Sequence, residues 1–386
     1  MKEIYFDNAA TTKVDKEVLK EMLPYFNKKY ANASSSHFKG KEAKDAIEKA
    51  RKIIADSINA MPEEIIFTSG GTESNNFALK GLFFSNYPEK DHIIITKIEH
   101  DCILNSCKFL EALGAKITYL NVDSEGFVDL EELKKSITEK TFLVSIMHVN
   151  NEIGTIQNLE EIGKICKEKN VLFHTDACQS FTKVPIDVKK QNLDLVTLNS
   201  HKIHGPKGVG ALYVKKGTLI TPLIDGGGHE NGKRSGTENV SGIVGFGKAV
   251  EISKNNQDNI KKIEELRNYL IEGLMKIENV KINGPTGKNL DKRVCNNINV
   301  SFRNIEGESV MNHLGERKIC VSTGSACSSH SLKTSHVLKA LNLEPLDANS
   351  AIRISLSKYN TKEEADYFLK VLPIIVKKLR KISPFS

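Results

Sequence analysis

The sequence predicts an α/β protein with a large domain, built on a mostly parallel, doubly wound sheet, and a smaller α+β C-terminal domain. Two observations predict this. Between residues 64 and 216, short β-branched runs alternate with amphipathic stretches whose apolar residues recur every three or four positions. Past residue 255 the alternation stops, and a long charged helical stretch leads to separate strands. We expect the large domain to span 14–255 and the small domain to comprise 1–13 and 256–386.

The large domain is predicted to alternate strands with helices. Two of its runs, 92–98 and 141–149, are apolar on both faces of the pleat, which is typical of strands covered by helices on both sides. The predicted strands are 64–68, 92–97, 116–122, 141–148, 171–175, 193–198 and 210–215, and the predicted helices lie near 73–85, 101–113, 128–137 and 158–169.

In the small domain, a helix is predicted over 256–277 and strands over 297–302 and 351–355. A loop rich in Gly and Ser follows the first strand at 322–331, and a helix over 361–381 closes the chain. The loop is the part of this domain with the least apolar anchoring.

Composition excludes several classes of protein. The 386 residues are 39% hydrophobic and 27% charged, and no apolar run approaches the roughly 20 residues of a membrane helix. The net charge of +7 is dispersed along the chain, so nucleic acid is not expected as the partner. The first residues are charged and polar, unlike an export signal, and the seven cysteines include no Cys-x-x-Cys pair. We expect a cytoplasmic protein with reduced thiols and no membrane segment.

The first candidate site follows the strand predicted at 64–68. Gly70 and Gly71 allow the backbone to approach an anion, and a helix beginning near Thr72 offers free N–H groups. An ordinary glycine turn with a threonine cap explains the same residues equally well. The sequence contains no Gly-x-Gly-x-x-Gly and no Gly-Lys followed by Ser or Thr, so the usual dinucleotide and ATP motifs are missing.

Two more candidates follow later strands. Asp176 comes at a strand end, where a buried carboxylate needs a cationic partner. Lys202 follows another strand and could form a Schiff base, although an isolated lysine is usually a surface residue. His201 and His204 lack the further ligands of a metal site. An anion site, a carboxylate and a lysine together match pyridoxal 5'-phosphate, which carries a phosphate, a ring nitrogen and an aldehyde.

With these motifs in place, the sequence resembles the cysteine desulfurases, in the class V aminotransferase group of fold type I pyridoxal-phosphate enzymes. The resemblance extends over nearly the whole chain. It rests on residues 5–12, 67–75, 99–100, 147–154, 174–180, 200–208, 226–239 and 324–328 and on Arg353.

The resemblance implies a role for each candidate residue. It implies that Lys202 carries the cofactor and that Asp176 pairs with its ring nitrogen. It further implies the following contacts: His100 on the ring face, Gln179 and Asn151 at the ring oxygen and substrate, Gly71, Thr72, Ser200 and His201 at the phosphate, Arg353 at the substrate carboxylate, and Thr237 at the phosphate of the partner subunit in a homodimer. Asn199 stands where the family usually has serine, which leaves open whether Asn199 or Ser200 holds the phosphate.

Cys327 lies in the Gly/Ser-rich loop, where small residues surround a single thiol. That composition favours an exposed, reactive cysteine over a structural one. The resemblance implies that Cys327 forms a persulfide while L-cysteine becomes L-alanine, and that the sulfur passes to an acceptor such as an iron–sulfur scaffold protein. Four other cysteines are interpreted as structural: Cys166, Cys178, Cys295 and Cys320.

Three other functions remain open at this point. A selenocysteine lyase would use the same chemistry, and another class V aminotransferase would not need the loop cysteine. A non-catalytic relative that serves as an interaction platform would be expected to have lost Lys202, Asp176 or Cys327, and all three are present.

Overall fold

The computed structural model describes residues 3–254, 257–324 and 334–384. In these residues the strands are β1 (Ile4–Tyr5), β2 (Ile65–Thr68), β3 (His92–Thr96), β4 (Lys116–Leu120), β5 (Thr141–Ser145), β6 (Leu172–Asp176), β7 (Leu195–Asn199), β8 (Gly210–Val214), β9 (Val280–Asn283), β10 (Asn297–Phe302), β11 (Ile319–Cys320) and β12 (Ala351–Ser355).

The helices of the described residues surround three sheets. They are α1 (Lys16–Met22), α2 (Pro24–Asn27), α3 (Phe38–Ser57), α4 (Gly71–Asn76), α5 (Leu82–Asn86), α6 (Asp101–Glu111), α7 (Leu130–Ser136), α8 (Leu159–Glu168), α9 (Val240–Ser253), α10 (Gln257–Leu274), α11 (Gly307–Gly315), α12 (His336–Ala340), α13 (Pro345–Asn349) and α14 (Lys362–Ile382). A π-helical stretch (Phe77–Gly81) joins α4 to α5.

The largest sheet has seven strands in the order β2-β8-β7-β6-β5-β3-β4. Only β8 runs antiparallel to its neighbours, β2 and β7. Both faces are covered: Ile94 of β3 packs in one apolar cluster, with side chains from α3, α8 and α9, while Ile93 and Ile95 pack in another, with side chains from the π-helical stretch, α5 and α6. The predicted fold class, an α/β protein with a mostly parallel, doubly wound sheet, is confirmed.

A second, antiparallel sheet has the order β12-β10-β9. The apolar core beside this sheet includes Leu270 from α10, Leu314 from α11 and Phe368 from α14. The start of the chain joins this core, since β1 pairs with β11 and the Phe6 ring meets the Phe368 ring edge-on at 5.7 Å. The domain boundaries at 13/14 and 255/256 stay a prediction.

The predicted strands of the large sheet agree with the observed ones to within three residues at each end. Helix α3 was not predicted from the sequence. Three of its seven buried residues are alanine (Ala43, Ala50 and Ala55), which gives a weak apolar signal. In the part of the chain that the structure describes, no helix combines the length and apolar character needed to cross a bilayer.

Candidate active site

A cavity of about 220 Å³ opens where the parallel strands of the seven-stranded sheet end. Ligands of open parallel sheets bind at this edge. The two sheets both contribute, because Asp176 ends β6 and Arg353 belongs to β12. The cavity is lined by Ala9, Ala10, Gly71, Thr72, Asn75, His100, Cys102, Met147, Asn151, Asp176, Cys178, Gln179, Asn199, His201, Lys202 and Arg353.

The two glycines after β2 form one end of the cavity. Gly70 has φ +151° and ψ −177°, a backbone conformation open almost only to glycine. A Cβ on Gly71 would lie 2.6 Å from the Cys178 Sγ and 3.3 Å from the Asn199 Nδ2. The helix that begins at Gly71 receives no side-chain cap, so its first amides are available to an anion. This end fits a phosphate group.

The segment after β7 supplies the opposite wall of this anion site. Asn199 lines the cavity, and its Oδ1 accepts a hydrogen bond from the His201 backbone N–H at 3.0 Å. Ser200 is fully buried and is not among the lining residues, because its hydroxyl lies against Gly205. Burial and the nearby positive charge of Lys202 lower the pKa of His201 to about 4, so its imidazole is neutral at pH 7.

The Asp176 carboxylate is held from two sides. It is 6% exposed; its Oδ1 accepts a hydrogen bond from the Cys178 backbone N–H at 2.9 Å, and its Oδ2 accepts one from the Asn75 Nδ2 at 2.7 Å. The Asn75 Oδ1 is buried without a hydrogen-bond partner among the described residues. A fixed carboxylate on the wall of a polar cavity fits a cationic ring nitrogen, as in pyridoxal phosphate.

The start of the chain closes another side of the cavity. The Ala9 carbonyl accepts hydrogen bonds from the Lys202 Nζ and, at 3.0 Å, from the Gln179 Nε2. Lys202 and Gln179 thus share one acceptor, which orients both side chains toward the cavity. The sequence analysis did not identify Ala9, because it contributes through its backbone rather than through its side chain.

His100 caps the N-terminus of α6 and lines the cavity. Its Nδ1 accepts a hydrogen bond from the Cys102 backbone N–H at 3.2 Å, and the Cys102 Sγ lies 3.1 Å from the same nitrogen. A nitrogen that accepts from a backbone N–H carries no proton of its own, so the neutral ring is protonated at Nε2.

Arg353 lies where the two sheets meet. Its Nη2 donates to the Asp7 Oδ1 at 2.9 Å, its Nη1 donates to the Asn151 carbonyl at 3.2 Å, and its side chain is 2% exposed. The Nε is buried and has no hydrogen-bond partner among the described residues. These contacts fix the plane of the guanidinium, which suits bidentate binding of a carboxylate.

Two further predicted site residues are Thr237 and Cys327. Thr237 lines a separate cavity of about 120 Å³, together with Ser69, Arg234 and Gly236. Cys327 lies outside the described residues, so its predicted role stays a prediction.

Six lining residues were not identified as site residues from the sequence: Ala9, Ala10, Asn75, Cys102, Met147 and Cys178. Cys178 was interpreted as structural, but it lies at the glycine end of the cavity, where its burial raises its pKa well above the ordinary value. Its position two residues after Asp176 was the feature of the sequence that could have indicated a place in the cavity.

The chain is similar in sequence to a known protein family and to curated relatives. The family model described as aminotransferase class-V matches residues 4–368. A curated relative, cysteine desulfurase IscS of Dictyoglomus turgidum, is 51% identical over 387 residues, covering 100% of this chain and 97% of the relative.

Two solved structures are also similar. A NifS-like protein has 45% sequence identity and a TM-score of 0.92, over 98% of this chain and 100% of that one. A structure described as SspA in complex with cysteine has 41% identity and a TM-score of 0.82, over 93% of this chain and 100% of that one.

Proposed function

Since the chain belongs to the class V aminotransferase family and, within it, to the pyridoxal-phosphate-dependent cysteine desulfurases, we propose that its cavity converts L-cysteine to L-alanine. The observation that carries the proposal is the meeting of Asp176, Lys202 and Arg353 in one cavity. These residues supply a carboxylate for a ring nitrogen, an amine for an aldehyde and a guanidinium for a substrate carboxylate.

We assign the cofactor contacts from the cavity lining. Gly71, Thr72, Asn199 and His201 hold the phosphate, and Asp176 binds the ring nitrogen. We choose Asn199 over Ser200, because the Ser200 hydroxyl lies against Gly205. When bound, pyridoxal phosphate supplies an aldehyde that couples to amines and a ring that accepts electron density from the substrate α-carbon.

Lys202 is the residue that moves the substrate proton. Its Nζ would hold the cofactor, and its amine would take the proton from the substrate α-carbon. The Ala9 carbonyl keeps the Nζ at the cavity. His100 would face the cofactor ring and would present its Nε2–H, because its Nδ1 accepts a hydrogen bond at the α6 N-terminus.

Arg353 and Asn151 orient the substrate. The guanidinium binds the L-cysteine carboxylate, and Asn151 contacts the ring oxygen with Gln179. Because Asp7 and the Asn151 carbonyl fix the guanidinium, the substrate carboxylate would be held in one orientation.

The sulfur transfer falls to Cys327. Its thiolate attacks the substrate sulfur; an S–S bond forms, the substrate C–S bond breaks, and the remaining carbon takes up a proton to give alanine. The persulfide sulfur then passes to an acceptor such as an iron–sulfur scaffold protein. We further propose that the enzyme is a cytoplasmic homodimer in which Thr237 serves the partner subunit, consistent with its lying outside this chain's own cavity.

The test is product formation from L-cysteine by the cofactor-loaded protein. Equal amounts of alanine and sulfide are expected in the presence of a thiol reductant, and Cys327→Ala is expected to abolish both. Cys320→Ala is the matched control, since Cys320 is a free thiol on β11 outside the cavity. Parent activity in Cys327→Ala would refute the role of that thiol, and cofactor-loaded protein that forms no alanine would refute the activity.

A further inference from the structure

A chain of hydrogen-bonding groups connects Asp176, which would bind the cofactor's ring nitrogen, with His100, which would face the cofactor's ring. The Asn75 Nδ2 lies 2.7 Å from the Asp176 Oδ2 and 3.1 Å from the Cys102 Sγ. The Cys102 Sγ in turn lies 3.1 Å from the His100 Nδ1. Asn75 and Cys102 both line the cavity, yet the proposed chemistry gives neither of them a role.

The stability of the fold does not explain Asn75. Its side chain is fully buried, and its Oδ1 has no hydrogen-bond partner among the described residues. Burying an unpaired amide oxygen destabilises a protein, whereas an apolar side chain of similar size would not. What Asn75 does provide is a short hydrogen bond to a carboxylate.

The hydrogen-bond directions fix how the Asn75 amide is turned. The His100 Nδ1 accepts from a backbone N–H, so the Cys102 thiol can only donate to it. The Asp176 carboxylate can only accept, so the amide group between it and the Cys102 sulfur is the NH₂. The same NH₂ then faces Asp176, while a flipped amide would set its oxygen against the carboxylate.

We propose that Asn75 is a positioning residue that holds the Asp176 carboxylate in the plane required by the cofactor's ring nitrogen, and that Cys102 keeps the Asn75 amide in the orientation that does so. The Cys178 N–H holds one carboxylate oxygen and Asn75 the other, so the group cannot rotate about its Cβ–Cγ bond. The inference rests on the assignment of Asp176 under the proposed function.

The experiment is a titration of the apoprotein with pyridoxal 5'-phosphate, followed by absorbance. Loss of a hydrogen bond to a charged group is expected to raise the cofactor Kd about 10-fold or more in Asn75→Ala. Cys102→Ala is expected to raise it about 3-fold, and the double variant no further than Asn75→Ala, because both act through one hydrogen bond. Cys102→Ser keeps a donor and an acceptor, so it should retain the parent affinity.

Two controls separate positioning from a general structural effect. Cys107 is a fully buried thiol on the same helix, α6, that packs among apolar side chains, and Cys107→Ala should leave the cofactor Kd unchanged. The apoprotein of Asn75→Ala should unfold at the parent midpoint, since the lost bond is offset by removal of the unpaired oxygen. A lowered midpoint with unchanged Kd would overturn the inference.

Asp176→Ala distinguishes this inference from the site assignment itself. If Asp176→Ala binds the cofactor as tightly as the parent, the assignment of Asp176 fails. If Asp176→Ala weakens binding and Asn75→Ala does not, only the inference is overturned. Adding Asn75→Ala to Asp176→Ala should cause no further loss, and an additive loss would contradict it.

Discussion

Replacing Arg353 with lysine tests how the cavity selects its substrate. The guanidinium is held by the Asp7 carboxylate at 2.9 Å and by the Asn151 carbonyl at 3.2 Å. A lysine ammonium keeps the positive charge, but it is a point charge on a flexible stem and cannot offer two parallel donors to a carboxylate. Arg353→Lys therefore removes the planar fork while leaving the charge of the site unchanged.

The size of the effect follows from the bonds lost. A fork offers the substrate carboxylate two charge-assisted hydrogen bonds, and an ammonium offers one in favourable geometry. One such bond contributes about 1.5–3 kcal/mol, so kcat/KM for L-cysteine should fall about 10- to 150-fold. Since the carboxylate is bound alike in the ground and transition states, the loss should lie mainly in KM.

Steady-state alanine formation over a range of L-cysteine concentrations measures this split. Arg303→Lys is the matched control, since the Arg303 side chain is 66% exposed and its contact with Asp347 is long, at 3.8 Å. A KM within twofold of the parent for Arg353→Lys would refute the substrate-carboxylate role. A fall confined to kcat would indicate instead that the substitution disturbs the reacting groups.

The other predictions concern stability, pH and cofactor attachment. Glu230→Gln breaks the buried ion pair of Arg51 with Glu230 (2.7 Å) and should lower the free energy of unfolding by about 3–5 kcal/mol in urea denaturation. The control is Glu160→Gln, which breaks an exposed ion pair and should lower the free energy of unfolding by less than about 1 kcal/mol. Equal losses in the two variants would contradict this. Burial raises the pKa of Glu99 to about 8, so the native state keeps a proton that the unfolded chain releases above pH 4.5. Stability from this group is full below pH 4.5 and is lost as the pH rises to 8. The parent should therefore lose stability relative to Glu99→Gln between pH 5 and 8, by up to about 1.4 kcal/mol per pH unit, and parallel curves would refute the raised pKa. Lys202→Ala should lose the visible absorption of covalently bound cofactor, and its retention would exclude Lys202 as the point of attachment.

The sequence predicted the large sheet well, because its central strands are buried on both faces and read as continuous apolar runs. Strand β5, over Thr141–Ser145, is an example in which every residue is buried. Helix α3, over Phe38–Ser57, was not predicted, because only Ile47 and Ile54 among its buried residues are large and apolar. Strand β1 has two residues, and it is held by pairing with β11, far along the chain, and by the burial of Ile4 in the core of the second sheet.

Site residues at strand ends, such as Asp176 and Asn199, could be predicted because the strands themselves could be predicted from the sequence. Residues that reach the cavity from helices were harder to identify. Asn75 lies four residues after Gly71, on the same face of the helix, so the spacing gave a usable signal once that face was known. The Ala9 carbonyl gave none, because a backbone contact leaves no pattern in side-chain chemistry.

The most direct test of the central claim is a mass spectrum of the cofactor-loaded protein after a single turnover with L-cysteine, with alanine measured in the same sample. We expect one added sulfur on the peptide that carries Cys327 and an equimolar amount of alanine. Cys178 and Cys102 are the rival thiols, since both line the cavity. Alanine formed with the added sulfur on either of them, or on no cysteine, would contradict persulfide formation on Cys327.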